Sequence, residues 1–142
     1  MGRIKIELPA QFHFSTEIAV RIDDINYGGH LGNDSVLSII HEARMQFLAH
    51  FGFKENDIGG VGLIMADTAI VYKSESFHGD ILKVDVATGE FSKVGFDIFY
   101  RITNIKNDRE VARAKTGMVC FDYEDKKIKP VPEEFRMSVN IN

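Results

Sequence analysis

Residues 33–51 read NDSVLSIIHEARMQFLAHF, and no other part of the chain constrains the architecture as strongly. Apolar residues recur there at spacings of three and four, which is typical of a helix with one buried face. The stripe consists of Val36, Ile40, Ala43, Phe47 and Phe51, and it is widened by Leu37, Ile39 and Leu48. We expect one of the polar residues Asn33, Asp34 and Ser35 to cap this helix and Gly52 to end it in a left-handed conformation. A helix of about 27 Å with so broad an apolar surface predicts that much of it is covered by the rest of the chain.

The other regular segments have the period of β-strands. Before the helix, apolar and polar residues alternate from Phe14 to Ile22, which predicts a strand with one buried face. After the helix come four long segments rich in β-branched and aromatic residues, at 63–73, 81–90, 94–104 and 110–123. Short turn-forming runs separate them, and this spacing predicts consecutive antiparallel hairpins. The economical arrangement is an α+β fold in which an antiparallel sheet of five to six strands wraps around one long central helix.

Length and composition predict a single domain spanning residues 1–142, because the chain has no repeat and no linker. The net charge of −4 disfavours a nucleic-acid partner or an anionic membrane surface. The sequence contains neither a secretory signal nor an apolar run long enough to cross a membrane. Its one cysteine, Cys120, lies in a predicted strand and is interpreted as a small buried residue. A cytoplasmic location is therefore expected.

The turn-rich segment between the first strand and the helix carries the most specific pattern. Residues 21–33 read RIDDINYGGHLGN, and the helix continues with HEAR at 41–44. This resembles the pattern D-x-D-x-x-G-H-V-N-N followed by E-x-A-R in the 4-hydroxybenzoyl-CoA thioesterase family and its acyl-CoA and acyl-ACP thioesterase relatives. The direct matches are Asp24, Gly29, His30, Asn33, Ala43 and Arg44. Residues 82–86 and 129–132 are also similar to the family, so the resemblance covers nearly the whole chain.

The resemblance implies a hot-dog fold that forms a homodimer or homotetramer, with an acyl-CoA or acyl-ACP thioester as substrate and no cofactor or metal. The acyl chain would lie between protomers, with the thioester carbonyl at the N-terminus of the central helix. Unpaired backbone N–H groups there stabilise the oxyanion of acyl transfer. The substrate-binding residues expected from the resemblance and the loop sequence are Tyr27, Gly28, Gly29, Gly32, Asn33 and His41.

Asn26 stands where the family has its catalytic aspartate. An amide is neither a base nor a carboxylate nucleophile at neutral pH, but it can orient water or donate a hydrogen bond to the thioester oxygen. The alternative is that Asn26 only shapes the turn. His30 is the first candidate for the base. Asp24 is interpreted either as a base or tautomer-fixing partner or as a turn cap, and Glu42 either as a water-activating carboxylate or as a surface residue.

The leading hypothesis is hydrolysis of an acyl-CoA or acyl-ACP thioester by water activated by a general base. Asp24, Asn26 and His30 are also similar to the D-x-N-P-x-H motif of hot-dog enoyl-thioester hydratases, but the histidine comes one residue late and the proline is absent. The third hypothesis is a non-catalytic protein that binds acyl thioesters, which would agree with the amide of Asn26 in place of a catalytic carboxylate. H-E-x-x-H zinc ligation is excluded because the fifth position is Met45. Several cations either form a solvated strand face or cluster for the CoA phosphates, namely Lys73, Lys93, Arg101, Lys106, Arg109, Arg113 and Lys115.

Overall fold

The computed structural model describes residues 1–140, so the last two residues of the predicted domain, 141 and 142, lie outside the described residues. Within residues 1–140, a segment without regular secondary structure precedes nine elements. In order they are β1 (Phe14–Ala19), a 3-10 turn (Ile22–Asp24), α1 (Asn33–His50), β2 (Gly62–Tyr72), β3 (Ile81–Gly89), β4 (Gly95–Asn104), β5 (Arg109–Asp122), β6 (Lys127–Ile128) and α2 (Glu133–Val139).

All the strands belong to one antiparallel sheet in the order β1-β3-β4-β5-β2, with the short β6 beside β5. The predicted α+β fold, a six-stranded antiparallel sheet with one long helix, is confirmed. The prediction of consecutive hairpins is correct for β3, β4 and β5 but wrong for β2, which pairs with β5 rather than β3. The chain from β1 to β2 passes through α1, and the strands that this helix joins become the two edges of the sheet.

The core lies between α1 and one face of the sheet. The buried residues of α1 include Val36, Ile40, Ala43 and Phe47 from the predicted stripe. The sheet contributes the apolar set of each alternating strand, including Leu82, Val84, Val86, Ile98, Tyr100, Ile102, Ala112 and Ala114. Burying one large aliphatic side chain contributes about 1.5–3 kcal/mol. This shared core fixes α1 against the sheet and thereby fixes the position of its N-terminus.

Three local predictions are wrong. The residue that caps α1 is Gly32, and no side chain from residues 33–35 makes a capping hydrogen bond. The strand β1 ends at Ala19, and Ile22 lies 70% exposed in the 3-10 turn, because the chain turns away from the sheet after Val20. Leu37 is 40% exposed, since the sheet covers only one side of α1. The predicted C-cap is confirmed, because Gly52 follows the helix with φ +86°.

The C-terminal helix α2 was not predicted. Phe135 and Val139 are buried one turn apart, and the Phe135 ring contacts those of Phe53 and Phe96. The spacing of these two apolar residues after Pro132 is the sequence signal for this short helix. It extends the core beyond the last predicted strand, 110–123.

The segment before β1 crosses the outer face of the sheet, opposite α1. Arg113 lies between the buried Ala112 and Ala114, so its side chain projects to that face, and its Nη1 donates to Ile6 O over 3.0 Å. Farther along, the guanidinium of Arg101 lies 4.9 Å from the centroid of the Phe12 ring. Among residues 1–140 no helix has the length and apolar character needed to span a membrane.

Candidate active site at the N-terminus of α1

Asn26 organises the loop that leads into α1. Its Oδ1 accepts hydrogen bonds from Gly28 N at 2.9 Å and His30 N at 3.4 Å, and its backbone pairs with His30 O and Gly29 N. Gly29 has φ +87°, a conformation that favours glycine. The side-chain oxygen of Asn26 is therefore engaged in the turn, which is the structural role considered above. Its amide nitrogen has no partner among residues 1–140, so it can still donate to a ligand.

Asp24 serves as the turn cap. Its Oδ2 accepts a hydrogen bond from Arg21 N at 2.8 Å, and its backbone oxygen accepts one from Gly32 N at 2.9 Å. The second bond fixes Gly32 at the N-cap position of α1. A Cβ atom at Gly32 would lie 2.7 Å from Asp34 Oδ1, so glycine leaves room at the helix entrance.

The N-terminus of α1 is open. The first N–H groups of an α-helix have no intrahelical acceptor, and here no side chain caps them. Two contacts hold this end in place: Leu31 N donates to Ser76 O over 2.8 Å, and the Tyr72 hydroxyl donates to Asn33 O over 3.2 Å. The arrangement presents backbone donors and the positive end of the helix dipole, which suits a developing oxyanion.

His30 lies beside this helix end and faces a carboxylate that the sequence analysis did not single out. Its Nε2 is 3.8 Å from Glu75 Oε1, and its Nδ1 is 3.5 Å from Leu31 O. The two residues line a cavity of about 220 Å³ together with Leu31, Asn33, Val36, Tyr72, Lys73, Ser74 and Val111. The only signal for Glu75 in the sequence is a polar run, Ser74 to Ser76, directly after the predicted strand.

The structure does not bring Glu42 to His30 within one protomer. Glu42 Oε2 accepts a hydrogen bond from Gln46 Nε2 at 2.7 Å, and Gln46 Oε1 in turn accepts one from the Thr16 hydroxyl on β1. Glu42 also lies nine residues beyond Asn33, about 14 Å along the helix axis. The contact through Gln46 places Glu42 on the side of α1 that faces β1, and the axial separation puts it far from the helix end that borders the cavity.

Two predicted substrate-binding residues also lie outside this cavity in the protomer. His41 Nε2 is 3.6 Å from Glu55 Oε1, in a separate cluster with Arg44. Tyr27 is fully exposed at the tip of the loop. The residues that the structure does bring together are His30 and Asn33, with the turn of Asn26 and its glycines holding the histidine. The roles of all these residues in binding or catalysis stay predictions.

A second cavity of about 340 Å³ adjoins the helix end. It is lined by Asn33, Asp34, Leu37, Thr68, Ile70 and Tyr72. The register with the buried residues 112, 114, 116 and 118 of β5 places Tyr72, Ile70, Thr68 and Met65 on the face of the sheet that bears α1. That face of β2 is left uncovered, because the main chain of α1 lies closest to β1 and β3, at the opposite edge of the sheet.

These features define a protein of the thioesterase-like class. Residues 20–139 match the profile of the Thioesterase-like superfamily, and the chain belongs to that family. The matched region contains both the loop of Asn26 and the whole of α1.

Its relatives agree with this placement. A 1,4-dihydroxy-2-naphthoyl-CoA hydrolase from Acaryochloris marina is 31% identical over 121 residues, covering 81% of this chain and 87% of the relative. A hydrolase of the same name from Microcystis aeruginosa is 32% identical over 104 residues, covering 71% and 74%. The crystal structure of a 1,4-dihydroxy-2-naphthoyl-CoA thioesterase from Synechocystis shares the fold, with a TM-score of 0.80, 24% identity and coverage of 88% and 93%.

Proposed function

We propose that this protein hydrolyses acyl-CoA thioesters at the N-terminus of α1, with His30 as the general base. The observation that carries the proposal is the pairing of His30 with Glu75 in a cavity beside an uncapped helix N-terminus. A proton acceptor and a set of oxyanion donors are the two requirements for attack of water on a thioester carbonyl.

The contacts of His30 suggest the course of the reaction. With its Nδ1–H directed at Leu31 O, the neutral ring leaves Nε2 free to take a proton from water. The hydroxide equivalent adds to the carbonyl carbon, and the resulting oxyanion is held by the first N–H groups of α1. The carbon–sulfur bond then breaks, the acyl group leaves as a carboxylic acid, and the imidazolium returns its proton to the CoA thiolate. Glu75, 3.8 Å from Nε2, stabilises the imidazolium in between.

Asn26 has a double role in this scheme. Its oxygen keeps the His30 loop in shape, and its free amide nitrogen donates to the attacking water or to the thioester oxygen. Asp24 stabilises the same loop by accepting hydrogen bonds from Arg21 N and Gly32 N. No role is assigned to Glu42 within the protomer, because its carboxylate is directed toward β1.

An aromatic acyl group is the substrate class to test first. Two relatives more than 30% identical carry names that denote hydrolysis of 1,4-dihydroxy-2-naphthoyl-CoA. The cavity between Leu37, Ile70 and Tyr72 adjoins the helix end and offers apolar walls for a planar ring.

We further propose that the working form is a homodimer in which a second copy closes this cavity. Four large apolar residues of α1 and β2 are each 40–43% exposed, namely Leu37 and Tyr72, which line the cavity, and Met45 and Met65, which lie farther along the same two elements. The strand β2 is an edge strand, with β5 as its one neighbour in the described part of the chain. An exposed edge next to apolar side chains is a surface that a second chain is expected to cover.

The decisive experiment measures release of free CoA from a panel of aromatic and aliphatic acyl-CoAs. We expect wild type to hydrolyse at least one of them, and His30→Ala to lower kcat by about 10²- to 10⁴-fold, the usual contribution of a general base. His78→Ala, an exposed loop histidine, is the matched control and should retain full activity. A thiol reagent can be used to detect CoA, because Cys120 is buried and burial raises its pKa to about 11. The folded protein should therefore not react with the reagent.

The variant Asn26→Asp distinguishes a thioester hydrolase from a protein that only binds thioesters. The carboxylate oxygen can keep the bonds to Gly28 N and His30 N, so the loop should stay folded. If wild type hydrolyses nothing in the panel yet binds the CoA thioesters, and Asn26→Asp gains hydrolysis, the protein is a binder and the proposal is wrong. Activity in wild type that is unaffected by His30→Ala would remove His30 from the mechanism.

A further inference from the structure

A basic cavity lies on the outer face of the sheet, next to the end of β2. It has a volume of about 610 Å³ and is lined by residues 3–7, residues 71–73 and Arg113. Its lining contains four cations, Arg3, Lys5, Lys73 and Arg113, and one acid, Glu7. In a chain with a net charge of −4, such a local excess of positive charge calls for an anionic ligand.

Arg113 builds the cavity rather than supplying its free charge. Its Nε and Nη2 donate to the two carboxylate oxygens of Glu110 over 2.6 and 2.8 Å, and its Nη1 donates to Ile6 O over 3.0 Å. The bond to Arg113 also holds the pKa of Glu110 below its usual range, so this pair stays ionised and internally neutral. Together with the buried side chain of Ile6, it fixes residues 3–7 against the sheet.

The remaining cations are available. Arg3, Lys5 and Lys73 against Glu7 leave a net charge of +2 (three positive minus one negative). The ammonium groups of Lys5 and Lys73 make no ion pair or hydrogen bond among residues 1–140, and both residues are exposed, although the charge of Lys73 is close enough to Glu110 to help lower the pKa of that carboxyl. Arg3 uses only Nη2, which donates to Tyr72 O over 3.3 Å. Ammonium and guanidinium groups that lack a carboxylate partner are the usual ligands of phosphate.

The basic cavity adjoins the candidate active site. Tyr72 and Lys73 line both this cavity and the one that contains His30 and Glu75. The main chain is fixed at that junction, since Lys73 N donates to Val111 O over 2.8 Å. A ligand that carries a thioester at one end and phosphates at the other, and that passes the edge strand at Tyr72 and Lys73, would contact both cavities.

We propose that the basic cavity binds the nucleotide phosphates of CoA, with Lys5 and Lys73 as direct contacts and Arg113 as a positioning residue. This inference rests on the proposed function, because it assigns the non-reacting end of the same substrate. It makes the segment before β1 one wall of the substrate site, a role that none of the sequence patterns indicated.

The test compares one acyl group carried on CoA, on 3′-dephospho-CoA and on pantetheine. In the variant Lys5→Gln/Lys73→Gln we expect the ratio of kcat/KM for the CoA thioester to that for the pantetheine thioester to fall about tenfold, from the loss of two charge-assisted contacts. The control variant Lys106→Gln/Lys127→Gln removes the same charge from exposed positions outside both cavities and should leave the ratio as in wild type.

The outcomes separate this inference from the proposed function. If wild type hydrolyses the CoA thioester but the ratio is the same in all three proteins, the phosphate site is wrong and the hydrolase stands. If wild type hydrolyses none of the thioesters, calorimetric titration with adenosine 3′,5′-bisphosphate tests the cavity directly. Binding that is lost only in Lys5→Gln/Lys73→Gln supports the phosphate site, and binding that is absent from wild type overturns it.

Discussion

Arg44 shows at the residue scale how a motif residue can be structural. The arginine is 4% exposed, its Nε donates to Glu55 Oε2 over 2.9 Å, and its Nη1 donates to the Tyr100 hydroxyl over 3.1 Å. Tyr100 in turn hydrogen-bonds Thr116 on the neighbouring strand. Burial opposes the charged form of Arg44, but its contacts with Tyr100 and Glu55 outweigh that effect and raise its pKa. This network ties α1 to β4 and β5.

Replacing Arg44 should therefore lower stability. Arg44→Met leaves the carboxylate of Glu55 beside the core without its cation, and we expect the free energy of unfolding to fall by about 2–4 kcal/mol, somewhat below the cost for a fully buried pair because Glu55 is partly exposed. Urea unfolding followed by circular dichroism measures the change. Arg44→Met/Glu55→Gln should recover part of it. Arg109→Met, an exposed arginine on β5, is the matched control, and an equal small effect of both single variants would show that the network contributes nothing.

At the scale of elements, the best-predicted strands are those in which buried and exposed residues alternate regularly. The strands β3, β4 and β5 are buried on the face toward α1 over most of their length, so their alternation is regular and their bounds were predicted to within one residue. The pairing of β2 with β5 could not be predicted, because alternation within a strand carries no information about its neighbour. We expected a polar residue at 33–35 to cap α1. The N-cap is instead Gly32, whose N–H donates to Asp24 O in a tight turn.

The candidate site was predicted only in part, because local sequence patterns do not show which distant segments meet in the fold. The loop of Asn26 and His30 is a local motif whose residues are close in sequence, and the structure keeps them together. Glu75 comes from the segment after β2 and meets His30 only through the fold. Glu42 was considered because it is near the motif residues in sequence, but the helical rotation directs it toward β1.

The close approach of β4 and β5 gives a prediction about elements. A Cβ atom added to Gly95 would lie 2.5 Å from the backbone oxygen of Met118, at the point where these two strands begin to pair. A backbone atom cannot rotate away as a side chain can, so the strands would have to separate. We expect Gly95→Ala to lower the free energy of unfolding by about 1–3 kcal/mol in urea denaturation. Gly2→Ala, where nothing lies within 4 Å, is the control, and a loss no greater than in this control would mean that the strands accommodate the methyl group freely.

At the scale of the whole molecule, the two faces of the sheet are covered differently. On the outer face, the segment before β1 contacts β2, β4 and β5 through Arg3, Phe12 and Ile6. On the face that bears α1, the helix leaves β2 open together with Leu37. In the proposed function, the reacting end of the substrate would lie at this open side and its phosphates at the outer face. Completion of the acyl site therefore depends on what covers β2.

The proposed homodimer predicts that hydrolysis and assembly are lost together. Sedimentation velocity at micromolar concentration should give a species of about 32 kDa, twice the 16.0 kDa chain. Leu37→Asp and Met65→Asp place a charge on the uncovered surface of α1 and β2, where burial against a second copy would desolvate it. We expect both variants to sediment as folded monomers, with an unchanged far-ultraviolet spectrum, and to lose acyl-CoA hydrolysis. Met137→Asp, on the exposed face of α2 and 73% exposed, should remain dimeric and active. A wild-type protein that is monomeric and fully active would show that one protomer completes the acyl site alone.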